Sequence, residues 1–167
     1  MKIPEKNSYA YDKAYLYSNQ ELHRLLYRDF LENEQYDFFS LIDAYMQTSE
    51  IRAKMDVGNW SALNKGDKQL LNSIDYSVCA PRLSNQERRV DITMARWMAD
   101  IYCLFQWKYN ILSKEINNLL PAQELCRIFN PLHEASLDNA CDKIANIYFR
   151  EILKEKDKPL DNHEFCK

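Results

Sequence analysis

Side chains able to do chemistry are sparse in this sequence, and their spacing decides what they can do. Of its three histidines, His133 stands directly before Glu134, a base beside an acid. Neighbours on a helix point about 100° apart, so the two do not naturally converge on one substrate atom. Glu134 instead suits the positive end of a helix dipole. His163 and Cys166 form H-x-x-C, two zinc-ligand types, but a structural zinc site takes four ligands and no second pair stands at ligand spacing. No metal and no cofactor is therefore expected. Asp100 is the most telling single residue, an acid inside an apolar run. A buried carboxylate is costly unless paired, so Asp100 is either a functional acid with a raised pKa or a core acid held by a neighbour or a backbone amide. Arg96, four residues earlier on the same helical face, is the expected holder, which makes Arg96 and Asp100 a buried polar pair.

Arg127-Ile-Phe-Asn-Pro-Leu-His133 has the form R-x5-H. That spacing resembles the R-x4–6-H signature of HEPN-type ribonucleases, small helical proteins of toxin–antitoxin and phage-defence systems. The resemblance covers seven residues. It implies a metal-independent ribonuclease in which His133 manages the proton of a 2′-hydroxyl and Arg127 stabilises the charged phosphorane. Ile128 stands where that family favours a polar residue, and Pro131 lies between the two.

Other catalytic signatures are missing. The two glycines, Gly58 and Gly66, allow neither a phosphate-cradling loop nor a dinucleotide fingerprint. G-x-S-x-G and H-E-x-x-H are absent as well. Arg82, Arg88, Arg89 and Arg96 make one mildly basic stretch, but Glu87, Asp91 and Asp100 are interspersed, the pattern of a solvated face. Net charge is −3 for the chain, with +2 over residues 65–108 and acidic flanks. Nucleic-acid binders show a strongly basic patch or stripe, so nucleic acid is not an expected partner.

The elements that must position these residues read as helices. Hydrophobic content of 46% and charged content of 28% over 167 residues suit one soluble domain. Two glycines and five prolines supply too few tight turns for a sheet-rich fold. The centre is Ser84–Asn110: Ser84 and Glu87 form a capping box, and Trp97 to Trp107 holds only Asp100 and Gln106 as polar side chains. A helix apolar nearly all round belongs in a core. Upstream, Ser18-x-x-Glu21 opens a helix lined by Leu22, Leu25, Leu26 and Phe30. A second helix carries Phe38, Phe39, Ile42, Tyr45 and Met46, runs on or is recapped at Ser49, and ends at Gly58. Residues 57–66 form the clearest loop. Asp67 caps a helix with Leu70 and Leu71, Ser113 caps one turn through Ile116, and Leu137 to Ile152 mark the last long helix. The expected architecture is all-α, a single compact domain over 1–153 with six or seven helices around the central helix 84–110. Residues 154–167 read as a charged tail.

Residues 1–17 hold Tyr9, Tyr11, Tyr15 and Tyr17 in alternation, either an extended arm on the body or a short helix from Tyr11. Tyrosine gives large contact area with a polar tip and suits an interface, so Tyr9, Tyr11 and Tyr15 are the expected partner-binding residues. Cys103, Cys126 and Cys141 fall on or near apolar stripes and read as buried thiols, which favours a reducing, cytoplasmic setting. No apolar run reaches membrane-spanning length, so no membrane is expected. The function expected is a non-catalytic protein–protein interaction module, an antitoxin or adaptor of a microbial defence system, with a protein partner or a homo-oligomeric state. The ribonuclease using Arg127 and His133 is the alternative.

Overall fold

The computed structural model describes residues 9–83 and 90–156. The central element is α6, Ile92–Tyr109, in which every residue from Trp97 to Trp107 is buried. Continuous apolar character gives the reason: no face of this stretch prefers water, so helices must cover all of it. The longest of them is α1, Lys13–Glu32, which lies along α6. The others are α2 (Phe38–Thr48), α3 (Glu50–Asp56), α4 (Trp60–Leu63), α5 (Asp67–Asn72), α7 (Ser113–Leu119), α8 (Ala122–Arg127), α9 (Phe129–Leu132), α10 (Leu137–Tyr148) and α11 (Arg150–Lys156). Here α10 packs on α6, α2 against α7 and α8, α3 against α7, and α5 against α1. Among the described residues there is no strand, only an isolated bridge between Tyr36 and Pro81. The fold is all-α, as the scarcity of turn formers predicts. Its helices are more fragmented than the expected six or seven.

The boundaries differ from the expected ones for local reasons. α6 begins at Ile92, where the Asp91 side chain accepts from Met94 N at 2.9 Å, and Val90 ahead of it is non-helical. The Ser84/Glu87 capping box lies outside the described residues. α1 starts a turn and a half before Ser18: Asp12 is its N-cap, accepting from Ala14 N at 2.9 Å, and Ser18 sits inside the helix with its hydroxyl donating to Tyr15 O. The face of α1 that meets the core is Leu16, Asn19, Gln20, His23, Leu26, Tyr27 and Phe30, while Leu25 is exposed. Recapping at Ser49 does separate α2 from α3, with Ser49 Oγ accepting from Arg52 N at 3.1 Å. Ser113 is no cap; it is the first residue of α7, and its hydroxyl is engaged elsewhere. At the far end, α11 carries helix through Lys156, three residues into the expected tail.

Gly58 ends α3 with φ +74°. Its N–H bonds Met55 O at 2.9 Å and the Asn59 N–H bonds Lys54 O at 3.0 Å, the paired closure of a Schellman turn. A Cβ here would stand 3.2 Å from both Ala10 O and Tyr11 Cβ, so the residue is required for its angle and for this close approach. The turn thereby anchors the N-terminal segment. Ala10 N donates to Trp107 O at 3.0 Å, Trp107 Nε1 donates to Tyr11 O at 2.7 Å, and the Tyr9 ring stacks on Trp107 at 3.9 Å. Of the two expected forms for this segment, the described part has both: residues 9–11 lie extended on the body and helix runs from Lys13 onward, while residues 1–8 lie outside the described residues.

Candidate functional site

Among the described residues, a cluster of titratable groups sits inside the core. Arg52 and Asp56, four apart on α3, are each 2% exposed. The Arg52 Nε donates to Ser113 Oγ at 2.6 Å, and that hydroxyl donates to Asp56 Oδ1 at 2.7 Å while Ser113 N donates to Asp56 Oδ2 at 2.7 Å. The direct Arg52–Asp56 ion pair is longer, 3.4 Å. Ser113 thus relays between cation and anion and joins α7 to α3. On the other side Arg52 NH1 lies 3.0 Å from His23 Nε2. A guanidinium nitrogen only donates, so His23 Nε2 is the acceptor and the ring proton sits on Nδ1, donating to Asn19 O at 2.7 Å. The Tyr45 hydroxyl, 2.7 Å from His23 Nε2, brings in α2.

Electrostatics follow from that geometry. Burial first, and the Arg52 charge second, push His23 down from 6.5 to about 3, so the imidazole is neutral. Burial works most strongly against the Arg52 charge, but Asp56, Cys103, Tyr45 and Tyr11 together outweigh it and the guanidinium is held more strongly protonated than usual. Burial raises Asp56, and Arg52 and the two Ser113 donors pull it back. Burial likewise lifts the neighbouring Cys103 thiol to about 11. Chemically, the cluster holds the side-chain types of a hydrolytic site, but Arg52, Asp56, Ser113 and His23 are at most 2% exposed. Closed to substrate in this conformation, they fasten α1, α2, α3 and α7 to one another.

Asp100 is buried, as the sequence predicts, but Arg96 is not its partner. Arg96 is exposed. Asp100 instead takes a two-pronged bond from Arg24 of α1, Nε to Oδ1 at 2.7 Å and NH2 to Oδ2 at 2.8 Å. The reason is packing: α1 covers the face of α6 that carries Asp100, while Arg96 projects to solvent. The fork is the stronger geometry for an arginine–carboxylate pair.

Arg127 and His133 have separate engagements. Arg127, exposed on α8, forks onto Glu124, with Nε to Oε2 at 3.0 Å, and Tyr148 of α10 donates to Glu124 Oε1 at 2.7 Å. The His133 Nδ1 lies 3.0 Å from both Phe129 O and Asn130 O, so it carries the proton, and the ring stacks on Phe129 at 4.4 Å. Neither residue lines the cleft between α2 and α8, a space of about 530 Å³ walled by Asp37, Asp43, Phe39, Gln47, Val78 and Pro121. Among the described residues no three metal-binding side chains gather at one point; His163 and Cys166 lie outside them. No described helix is long and apolar enough to cross a membrane.

The three expected partner-binding tyrosines divide in role. Tyr9 is exposed and stacked on Trp107. Tyr15 is half-buried on α1. Tyr11 is tucked in, its hydroxyl accepting from Asn19 Nδ2 at 3.0 Å, and burial pushes it up to about 12. Beside this segment, flanking Gly58, stand Val57 and Trp60, 67% and 70% exposed. Sequence reasoning placed residues 57–66 in a loop and passed over Trp60, although an aromatic between two glycines was the available signal. Cys103 and Cys141 are buried and Cys126 half-buried, all three free thiols. No family model matches the chain, and neither a curated protein nor a solved structure matches it.

Proposed function

We propose that the protein is a non-catalytic interaction module, a rigid helical domain that presents an aromatic surface to another protein. The observation that carries this reading is the Gly58 turn: Gly58 itself closes on Ala10 and Tyr11, next to Tyr9 in the chain, and the residues that flank it include exposed Val57 and Trp60. Trp and Tyr are enriched in the few residues that dominate binding energy at protein interfaces, and Tyr9 is held ready by its stack on Trp107. The polar cluster around Arg52 supports the same reading as scaffold. Within the class, an antitoxin or an adaptor of a microbial defence system is the role we favour, on size and composition. The test is purification of tagged chain from lysate of its native host, beside Tyr9→Ala. A stoichiometric protein partner whose recovery falls in the variant supports the proposal; undiminished recovery removes Tyr9 from it. Tyr11→Ala is the wrong probe, because its hydroxyl belongs to the core.

A further inference from the structure

The cleft between α2 and α8 carries one sign of charge. No Lys or Arg stands between Arg28 and Arg52, a stretch that holds Asp29, Glu32, Glu34, Asp37, Asp43 and Glu50. Two of these acids, Asp37 and Asp43, wall the cleft. Bases on the other elements around it are engaged or balanced. Arg127 forks onto Glu124, Arg82 donates to Asn33 O at 2.6 Å, and exposed Lys114 is followed by exposed Glu115. Asp75, whose N–H donates to Oγ1 of the wall residue Thr48 at 2.9 Å, adds a further acid. Both wall carboxylates keep an oxygen in hand. Asp43 Oδ1 accepts from Asn117 Nδ2 at 2.7 Å and from Ala122 N at 2.9 Å, and Asp37 Oδ2 caps α2 by accepting from Ser40 N at 3.0 Å. Among the described residues nothing donates to Asp43 Oδ2 or Asp37 Oδ1. Burial raises the Asp43 pKa, the two donors pull it back, and the charge that acts on it, Asp37, has the same sign and adds to the rise.

We propose that this cleft is a docking site for a basic segment of a protein partner, with an Arg or Lys head at Asp43 and Asp37 and its stem on Phe39, Val78 and Pro121. The inference rests on the interaction-module reading and adds to it a second face, which shares no residue with the Gly58 turn. Charge complementarity selects the base: a cation meets two like charges that the chain itself leaves unbalanced, and acidic competitors are repelled. The apolar wall selects a long side chain, since Lys and Arg lay their methylene stems on apolar surface while the head stays polar. A space of about 530 Å³ has room for it. Nucleic acid is disfavoured on the same grounds, because its phosphates carry the sign of the cleft.

The experiment is selection of a random peptide-display library against the full chain, followed by calorimetry on the enriched peptides. The expected sequences join Arg or Lys to apolar residues. Asp37→Asn with Asp43→Asn should weaken them about 10-fold or more and flatten the salt dependence. Both substitutions keep the oxygens that accept from Ser40, Asn117 and Ala122, and circular dichroism checks the fold. Val78→Lys, at an exposed position, sets a cation on the wall without touching either acid and should weaken the same peptides severalfold. Enriched peptides without basic bias overturn the proposal, as do peptides that bind these variants as well as wild type, or no enrichment at all. Spermidine bound through Asp43 in place of any peptide, or self-association in sedimentation that is lost with Asp43→Asn, overturns it too by naming another occupant. Peptides lost with Trp60→Ala but not with the cleft variants end this assignment and leave the interaction reading standing. Absence of any stoichiometric protein partner in native lysate ends the reading itself.

Discussion

Asp56→Asn isolates what the buried carboxylate does. The substitution keeps the shape of the side chain and an oxygen that can still accept from Ser113, but it removes the charge facing Arg52. Arg52 is 2% exposed and cannot turn to water for compensation. Its other partners, Ser113 Oγ and His23 Nε2 with Tyr45 and Cys103 beside them, are neutral. Breaking a buried pair so that one charge stands alone costs about 3–5 kcal/mol, a large share of the roughly 5–15 kcal/mol that holds a domain folded. At about 2–4 °C per kcal/mol for a chain of this size, the melting temperature should drop by about 6–20 °C. Thermal and urea unfolding followed by circular dichroism at pH 7 give the number. Arg52→Met should be costly for the mirror reason, and Arg52→Met with Asp56→Asn should lose about 2 kcal/mol less than the sum, since no charge is then stranded. A loss under about 1 kcal/mol for Asp56→Asn, or strict additivity, would refute the account of the cluster.

Other consequences can be checked on the same protein. His23 is neutral when folded, its pKa depressed by burial and then by Arg52 to about 3, whereas unfolded it titrates near 6.5. The unfolded chain therefore binds the proton first, and stability should fall by about 1.4 kcal/mol per pH unit from near pH 6.5 toward pH 3. Urea midpoints of wild type and His23→Gln at pH 7, 6, 5 and 4 should diverge by that slope; parallel curves would count against it. Asp100→Asn should cost about 1–3 kcal/mol by weakening the Arg24 fork, while Arg96→Ala stays within about 0.5 kcal/mol. If Arg96→Ala proves the more damaging, the pairing is wrong. Gly58→Ala puts a methyl 3.2 Å from Ala10 O at φ +74°; a destabilisation of about 1–2 kcal/mol is expected, with increased amide exchange at Ala10, and no change would deny the close approach.

What the sequence disclosed was the part governed by local composition. The run Trp97 to Trp107 reads as a helix with no outward face and is buried along its length. Helix ends were less legible. Ser18-x-x-Glu21 satisfies the capping pattern, yet α1 starts at Asp12, because Ala10 and Tyr11 are tied to Trp107, about a hundred residues away, and the chain turns there. Leu22 and Leu25 suggest one face for α1, but the face against the core holds Asn19, Gln20 and His23, whose side chains bond Tyr11, Asp100 O and Tyr45 only once the chain is folded. Arg52 and Asp56 are visible as an i,i+4 pair of ordinary surface type. Their burial depends on His23, Tyr45 and Ser113 from three other helices, and nothing local announces it. Asp100 was recognisable as a buried acid but not its partner, since Arg24 lies 76 positions away.

The most direct measurement of the interaction reading is purification of tagged wild type and Trp60→Ala side by side from native lysate, with mass spectrometry and the 260/280 nm ratio of each eluate. The account predicts a stoichiometric protein partner with wild type, much reduced with Trp60→Ala, and no nucleic acid in either. Bound RNA without a protein partner, lost on His133→Ala, would contradict it and transfer the function to Arg127 and His133.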